Sequence, residues 1–180
     1  MKSYIPFLFL VLIFPFCSLS AQSVSLAVGG TVSHAPELAF NGSTGSSRLF
    51  TAFGDMVIND NLIGRIQYTS MDVSSLESKL ADRVNFSWSA NGSIGYNLVL
   101  GPQKRIQIPI LLSGGIALIN YDGFGSEYGA QFGGSISPFF QFTKHLGVMG
   151  QFRVMRGSDM NDGAVIHSTD IGLGLRFRLL

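Results

Sequence analysis

The chain has 180 residues, 46% of them hydrophobic and only 13% charged, against roughly a quarter charged in ordinary soluble domains. Twelve Lys and Arg against eleven Asp and Glu give a formal charge of +1, which excludes the basic field that nucleic-acid binding requires. The apolar fraction excludes disorder, and 22 glycines with 12% aromatics point to many short strands and turns in a single domain.

Residues 1–21 read as a secretory signal peptide. Lys2 supplies the positive start, Tyr4 to Phe16 the apolar stretch, and Ser18-Leu19-Ser20-Ala21 the small-residue exit, with cleavage expected after Ser20 or Ala21. The stretch is short for a spanning helix and is interrupted by Pro6 and Pro15. Cys17 follows the bulky Phe16, which argues against a lipoprotein site. Without the leader the chain has no cysteine, so neither disulfides nor thiol chemistry are available to it.

Residues 22–180 alternate with a period of two, which puts apolar groups on one side of each strand; a helix would scatter them. Val24, Leu26 and Val28 begin the series. The weakest member, about Leu49 to Ile58, sets Phe50, Met56 and Ile58 against Thr51 and Asp55, with Phe53 out of pattern. Leu62, Ile66 and Tyr68 then oppose Arg65 and Gln67. From Val84 to Leu100 the alternation is nearly unbroken, with Phe86, Trp88, Ile94, Tyr96 and Leu98 against Ser87, Ser89, Asn91, Ser93 and Asn97. Ile106, Ile108, Ile110, Leu112, Ile116 and Leu118 follow, although Leu111 and Ile119 fall on the polar face. Three further strands carry Ala130, Phe132, Ile136, Phe140 and Phe142, then Leu146, Val148, Phe152 and Val154, then Ile171, Leu173, Leu175, Phe177 and Leu179.

The eight strands are joined by two alternating kinds of connection. Asn59-Asp60-Asn61, Gly101-Pro102-Gln103 and Thr143-Lys144-His145 are short; residues 34–47, 72–82, 121–126 and 157–165 are longer and more polar. Even strand number, short turns on one rim and long loops on the other are the plan of an all-β, eight-stranded antiparallel up-and-down transmembrane barrel. Charge placement favours that over a soluble barrel: Ser, Asn, Gln and Gly dominate the polar faces, while Lys and Glu gather in connections and at rims. Aromatics should then form two girdles, Phe50, Tyr68, Phe86, Trp88 and Tyr128 outside, Tyr96, Phe140, Phe142 and Phe177 on the periplasmic side. Counting back from Asn59 to Asn61 sets Asp55 opposite Arg65, a cross-strand ion pair. Asn97 is expected to meet Gln107 in the same way, and Arg153 to reach Asp170.

The leader, the eight strands and the closing Gly172-Leu173-Gly174-Leu175-Arg176-Phe177-Arg178-Leu179-Leu180 resemble the small outer-membrane β-barrel family, which includes the OmpA transmembrane domain and OmpX. The resemblance implies an integral protein of a Gram-negative outer membrane, surrounded by its lipid and inserted by the outer-membrane assembly machinery. In that family the last strand usually ends in an aromatic; here Leu180 stands last and Phe177 is the nearest aromatic.

Candidate chemistry is thin. Some barrels of this kind modify lipids with a His and a Ser, but His167 and Ser168 are adjacent on a strand and point to opposite faces. His34 and His145 fall at opposite rims. Asp159, Asn161 and Asp162 offer oxygens but lack the distal Glu of a calcium loop. No catalytic residue, cofactor or metal site is assigned. The expected role is structural, or binding of an external ligand or protein through loops 34–47, 72–82, 121–126 and 157–165, in a monomer whose lumen is filled by side chains. The alternatives are a lipid-modifying enzyme and a narrow, porin-like pore.

Overall fold

The structure is a computed structural model describing residues 23–40, 43–72, 84–122, 125–159 and 166–179; residues 1–21, expected to be a signal peptide, Leu180, most of the 72–82 and 157–165 connections, and residues 41–42 and 123–124 lie outside the described residues. Nine strands follow in chain order: β1 (Val24–Phe40), β2 (Ser43–Ile58), β3 (Leu62–Met71), β4 (Val84–Leu100), β5 (Ile106–Tyr121), β6 (Gly125–Ile136), β7 (Phe139–Gln141), β8 (Leu146–Asp159) and β9 (Ile166–Arg178). Each pairs antiparallel with its neighbours, and β1 pairs with β9, so the sheet closes on itself.

β6 and β7 are one stave of the barrel. Ile110 faces Ile136 and Ile106 faces Phe140, a single unbroken register, and the pairing with β8 is equally continuous from Ile136↔Phe152 to Phe139↔Met149. The interruption falls at Pro138, which has no N–H to donate, while Ser137 N still donates to Pro109 O at 2.9 Å and Gly150 N to Pro138 O at 2.8 Å. Counting that stave once, the barrel has the eight strands that the alternation predicts.

The orientation of the faces is decided by exposure. Ile66 and Leu112 are each 74% exposed and Leu173 71%, whereas Thr69 and Asp170 are 0% and Arg153 2% exposed. Burying Arg and Asp while presenting Ile and Leu is favourable only if the outer surface meets hydrocarbon. This is therefore a transmembrane barrel. From Val24 to His34 is ten residues, about 25 Å along an axis to which strands tilt by about 40°, the height of a hydrocarbon band. Past that height the outward positions become polar, as at Arg48, Ser70, Ser126 and Arg156, all exposed. Both expected girdles are present on the outer surface. Tyr68 lies 5.8 Å from Trp88 at one end, and Phe140 5.8 Å from Phe142 at the other.

Two expectations are corrected. Residues 34–47 are not a long loop, because β1 continues to Phe40 and β2 starts at Ser43, and a bulge between Ala35 and Leu38 accommodates Pro36. In the same way β5 runs to Tyr121, β6 begins at Gly125 and β8 extends to Asp159, which shortens the 121–126 and 157–165 connections. Asn97 faces Pro109, not Gln107, because the turn after β4 occupies five residues, with Gly101 and Lys104 at φ of 76° and 53°. The two side chains still approach, Asn97 Nδ2 lying 3.5 Å from Gln107 Oε1.

Candidate functional site: a filled lumen beneath an external rim

The interior is organised by three arginines and two aspartates. The Ile58–Leu62 hairpin turns through Asn59 and Asp60, both left-handed with φ of 52° and 64°, as the tight turn between antiparallel strands requires. That turn sets Asp55 opposite Arg65, and the pair is bidentate: Nε to Oδ1 at 2.6 Å and Nη2 to Oδ2 at 3.0 Å. Arg176 on β9 brings its Nε to 3.0 Å from the same Oδ2, so one carboxylate serves two guanidinium groups. Arg153 faces Asp170 in the β8–β9 register, with Nε 2.8 Å from Oδ2.

These groups also tie distant staves together. Arg153 Nη1 donates to Thr69 Oγ1 on β3 at 2.9 Å, Arg65 Nη1 to Ser137 Oγ at 3.3 Å, and Arg176 Nη1 to Gln107 Oε1 on β5 at 3.0 Å. Thr69 and Arg153 stand on staves half a circumference apart, so a single guanidinium spans the lumen. A charge taken from water needs such partners, and here each guanidinium has at least one carboxylate and one neutral acceptor.

Apolar clusters alternate with the ion pairs along the axis. Towards the external rim Ala35, Leu38, Leu49, Met71, Ala117, Ile119, Tyr121 and Ile166 form one buried cluster inside the barrel. Nearer the short turns, Phe53 packs with Phe139 and Met149, and Val57 with Ile63 and Leu111. Phe53, Leu111 and Ile119, the residues that broke the alternation, are thus interior plugs. The Phe53 ring occupies the space a side chain on Gly29 would need, and Phe139 does the same at Gly147. Arg65 caps the Phe53 ring at 4.3 Å and Arg176 the Phe139 ring at 5.0 Å. Below them a cavity of about 20 Å³, bordered by Asn97, Gln107 and Arg176, has room for about one water. A hollow of about 930 Å³ between Val32, Phe152 and Leu173 lies on the outer wall.

The histidines do not assemble with a nucleophile. Ser168 is buried in the lumen, while His167 lies on the opposite face and its Nδ1 accepts from Gly157 N at 3.1 Å. His34 sits on the outer wall opposite Arg48, and His145 lies in the turn at the other end, its ring 5.8 Å from Phe177. Of the possible calcium ligands, Asp159 ends β8, and Asn161 and Asp162 lie outside the described residues. Among the described residues no group of three or more His, Cys, Asp or Glu is placed to hold a metal. Sequence reasoning missed the ion pair of Arg176 with Asp55. Arg176 was legible as a lumenal residue, but its partner depends on how β9 closes onto β1, which no short turn specifies.

The Neisserial surface protein A is similar in structure, with a TM-score of 0.62 over 88% of this chain and 99% of that one, at 13% sequence identity. This is the small outer-membrane β-barrel fold. OprG from Pseudomonas aeruginosa superposes with a TM-score of 0.55 at 9% identity, covering 87% of this chain and 95% of its own. Ail, the attachment invasion locus protein of Yersinia pestis, gives 0.51 at 14% identity over 88% and 100%. No protein-family model matches the sequence, and no curated protein matches it either.

Proposed function

We infer that the chain is an integral outer-membrane barrel that neither conducts nor catalyses, and that it works by holding a raised external rim above the lipid. The observation that carries this is the packed lumen, where cross-linked Arg and Asp alternate with apolar clusters along the axis. Such filling among the described residues speaks against a continuous polar path for a solute. Beyond His34, β1 continues for six more residues, about 15 Å along the axis, and its partner β2 rises with it. Loops borne on such rigid strands are where recognition of an external ligand or protein resides. The separation of His167 from Ser168 across the wall speaks against a lipid-modifying active site there.

The test is electrical. The refolded barrel, inserted in a planar bilayer, should give no steady single-channel current, and vesicles containing it should not swell in small sugars. A stable unit conductance would overturn the reading in favour of a narrow pore.

A further inference from the structure

The charges that the lumen does not use are segregated along the barrel axis. At the rim carrying the three short turns and the chain ends, an open bowl of about 480 Å³ is lined by Lys104, Arg105, Lys144 and Arg178, with Gln107 and Gln141 among its other walls. Asp60 is the carboxylate in that lining, and Lys104 already engages it at 2.6 Å. No salt bridge among the described residues engages Arg105 or Lys144. The bowl is built rather than frayed. Gln141 Nε2 donates to Lys144 O at 2.8 Å, Thr143 Oγ1 accepts from Leu146 N at 3.0 Å, and Gln141 N donates to Arg105 O at 2.8 Å. Beneath it Arg176 and Arg65 share the single carboxylate of Asp55, which leaves one net positive charge, and Gln107 holds Arg176 there. The opposite rim carries Glu37, Asp72, Asp122 and Glu127 with Arg48 and Arg156.

We propose that this basic bowl docks a carboxylate-rich peptide segment of a periplasmic partner. The bowl continues the lumen, since Gln107, Gln141 and Arg178 hold lumen-side positions in the alternation of their strands, so its ligand approaches along the axis. Lipid headgroups meet the outer wall, where Ile106 and Phe177 stand exposed. Arg105 and Lys144 among amide-bearing walls match a segment of acidic side chains, and the acidic opposite rim repels the same ligand. The compartment rests on the orientation in the proposed function; the binding itself does not, because a nanodisc leaves both rims open.

The experiment uses the full barrel in nanodiscs of zwitterionic lipid, with fluorescent hexaglutamate and hexaglutamine peptides read by anisotropy. Hexaglutamate should bind, more weakly as salt rises, and hexaglutamine should not. Arg105→Glu with Lys144→Glu should lower the affinity at least about tenfold, while Arg156→Glu at the other rim should leave it unchanged. If the charge-reversed barrel does not fold by its gel mobility, Arg105→Gln with Lys144→Gln should still weaken binding. Equal binding of the two peptides, no loss in either double variant, or an equal loss in Arg156→Glu would overturn the proposal. So would failure to bind peptide by a barrel that associates with phosphatidylglycerol vesicles through the same two residues.

Discussion

Asp55 is the residue on which the interior depends most, and Asp55→Asn is the sharpest perturbation of it. The side chain is fully buried and accepts from Arg65 twice, at 2.6 and 3.0 Å, with Arg176 a further 3.0 Å away. The amide keeps the shape but removes the charge, leaving two guanidinium groups facing each other in a low dielectric. Removing one partner of a buried pair costs about 3–5 kcal/mol, and the mutual repulsion of Arg65 and Arg176 puts this case at the upper end. Asp60→Asn offers an internal comparison: its pair with Lys104 is exposed, 63% and 41%, and such pairs contribute about 0–1 kcal/mol. Urea titration in lipid vesicles, followed by the gel-mobility shift between folded and boiled protein, reads both. Asp55→Asn should move the midpoint by several times the shift of Asp60→Asn. Equal shifts would show that the lumen is hydrated enough to screen the charges, and the case for a packed interior would fail.

Other outcomes follow from the same geometry. Arg153→Met alone strands Asp170 and should cost about 3–5 kcal/mol, whereas Arg153→Met with Asp170→Leu should recover most of it in the same titration. Leu112→Arg, on the hydrocarbon face, should destabilise by about 2–4 kcal/mol, and Asn120→Arg beyond the band by about 0–1; comparable losses would misplace the membrane. Gly29→Ala must displace the Phe53 ring and press on the Leu175 carbonyl, so a loss of about 1–3 kcal/mol is expected and Phe53→Leu should not fully restore it. An unchanged urea midpoint for Gly29→Ala would mean the ring does not lie there.

The membrane-embedded wall was readable because hydrocarbon outside and polar fill inside enforce a strict alternation, as from Val84 to Leu100. The Asp55–Arg65 pair was readable for a second reason: the turn between them is short and built from Asn and Asp, which accept left-handed backbone. The turn after β4 misled by two positions because Lys104 adopts that conformation as well as Gly101, and nothing in a lysine signals it. The extensions of β1 and β2 look like loop in the sequence for a different reason. Outside the lipid both faces of a strand are wet, so alternation is no longer required, and Pro36 resembles a terminator until a bulge absorbs it. The interior plugs were present in the sequence as exceptions; Phe53, Leu111 and Ile119 violate the polar face because a narrow barrel fills its ends with hydrocarbon of its own.

Pro138 sits opposite Gly150 in the continuous register of β6–β7 against β8, and its missing N–H leaves the Gly150 carbonyl without the donor that any other residue there would supply. Nothing in hydrocarbon replaces that bond, and glycine contributes no side chain to cover the gap. Pro109 leaves the same gap opposite Ser137 on the adjoining seam, so two neighbouring seams are each one bond short at mid-height. A closing barrel would zip last there, and an opening one would part there first.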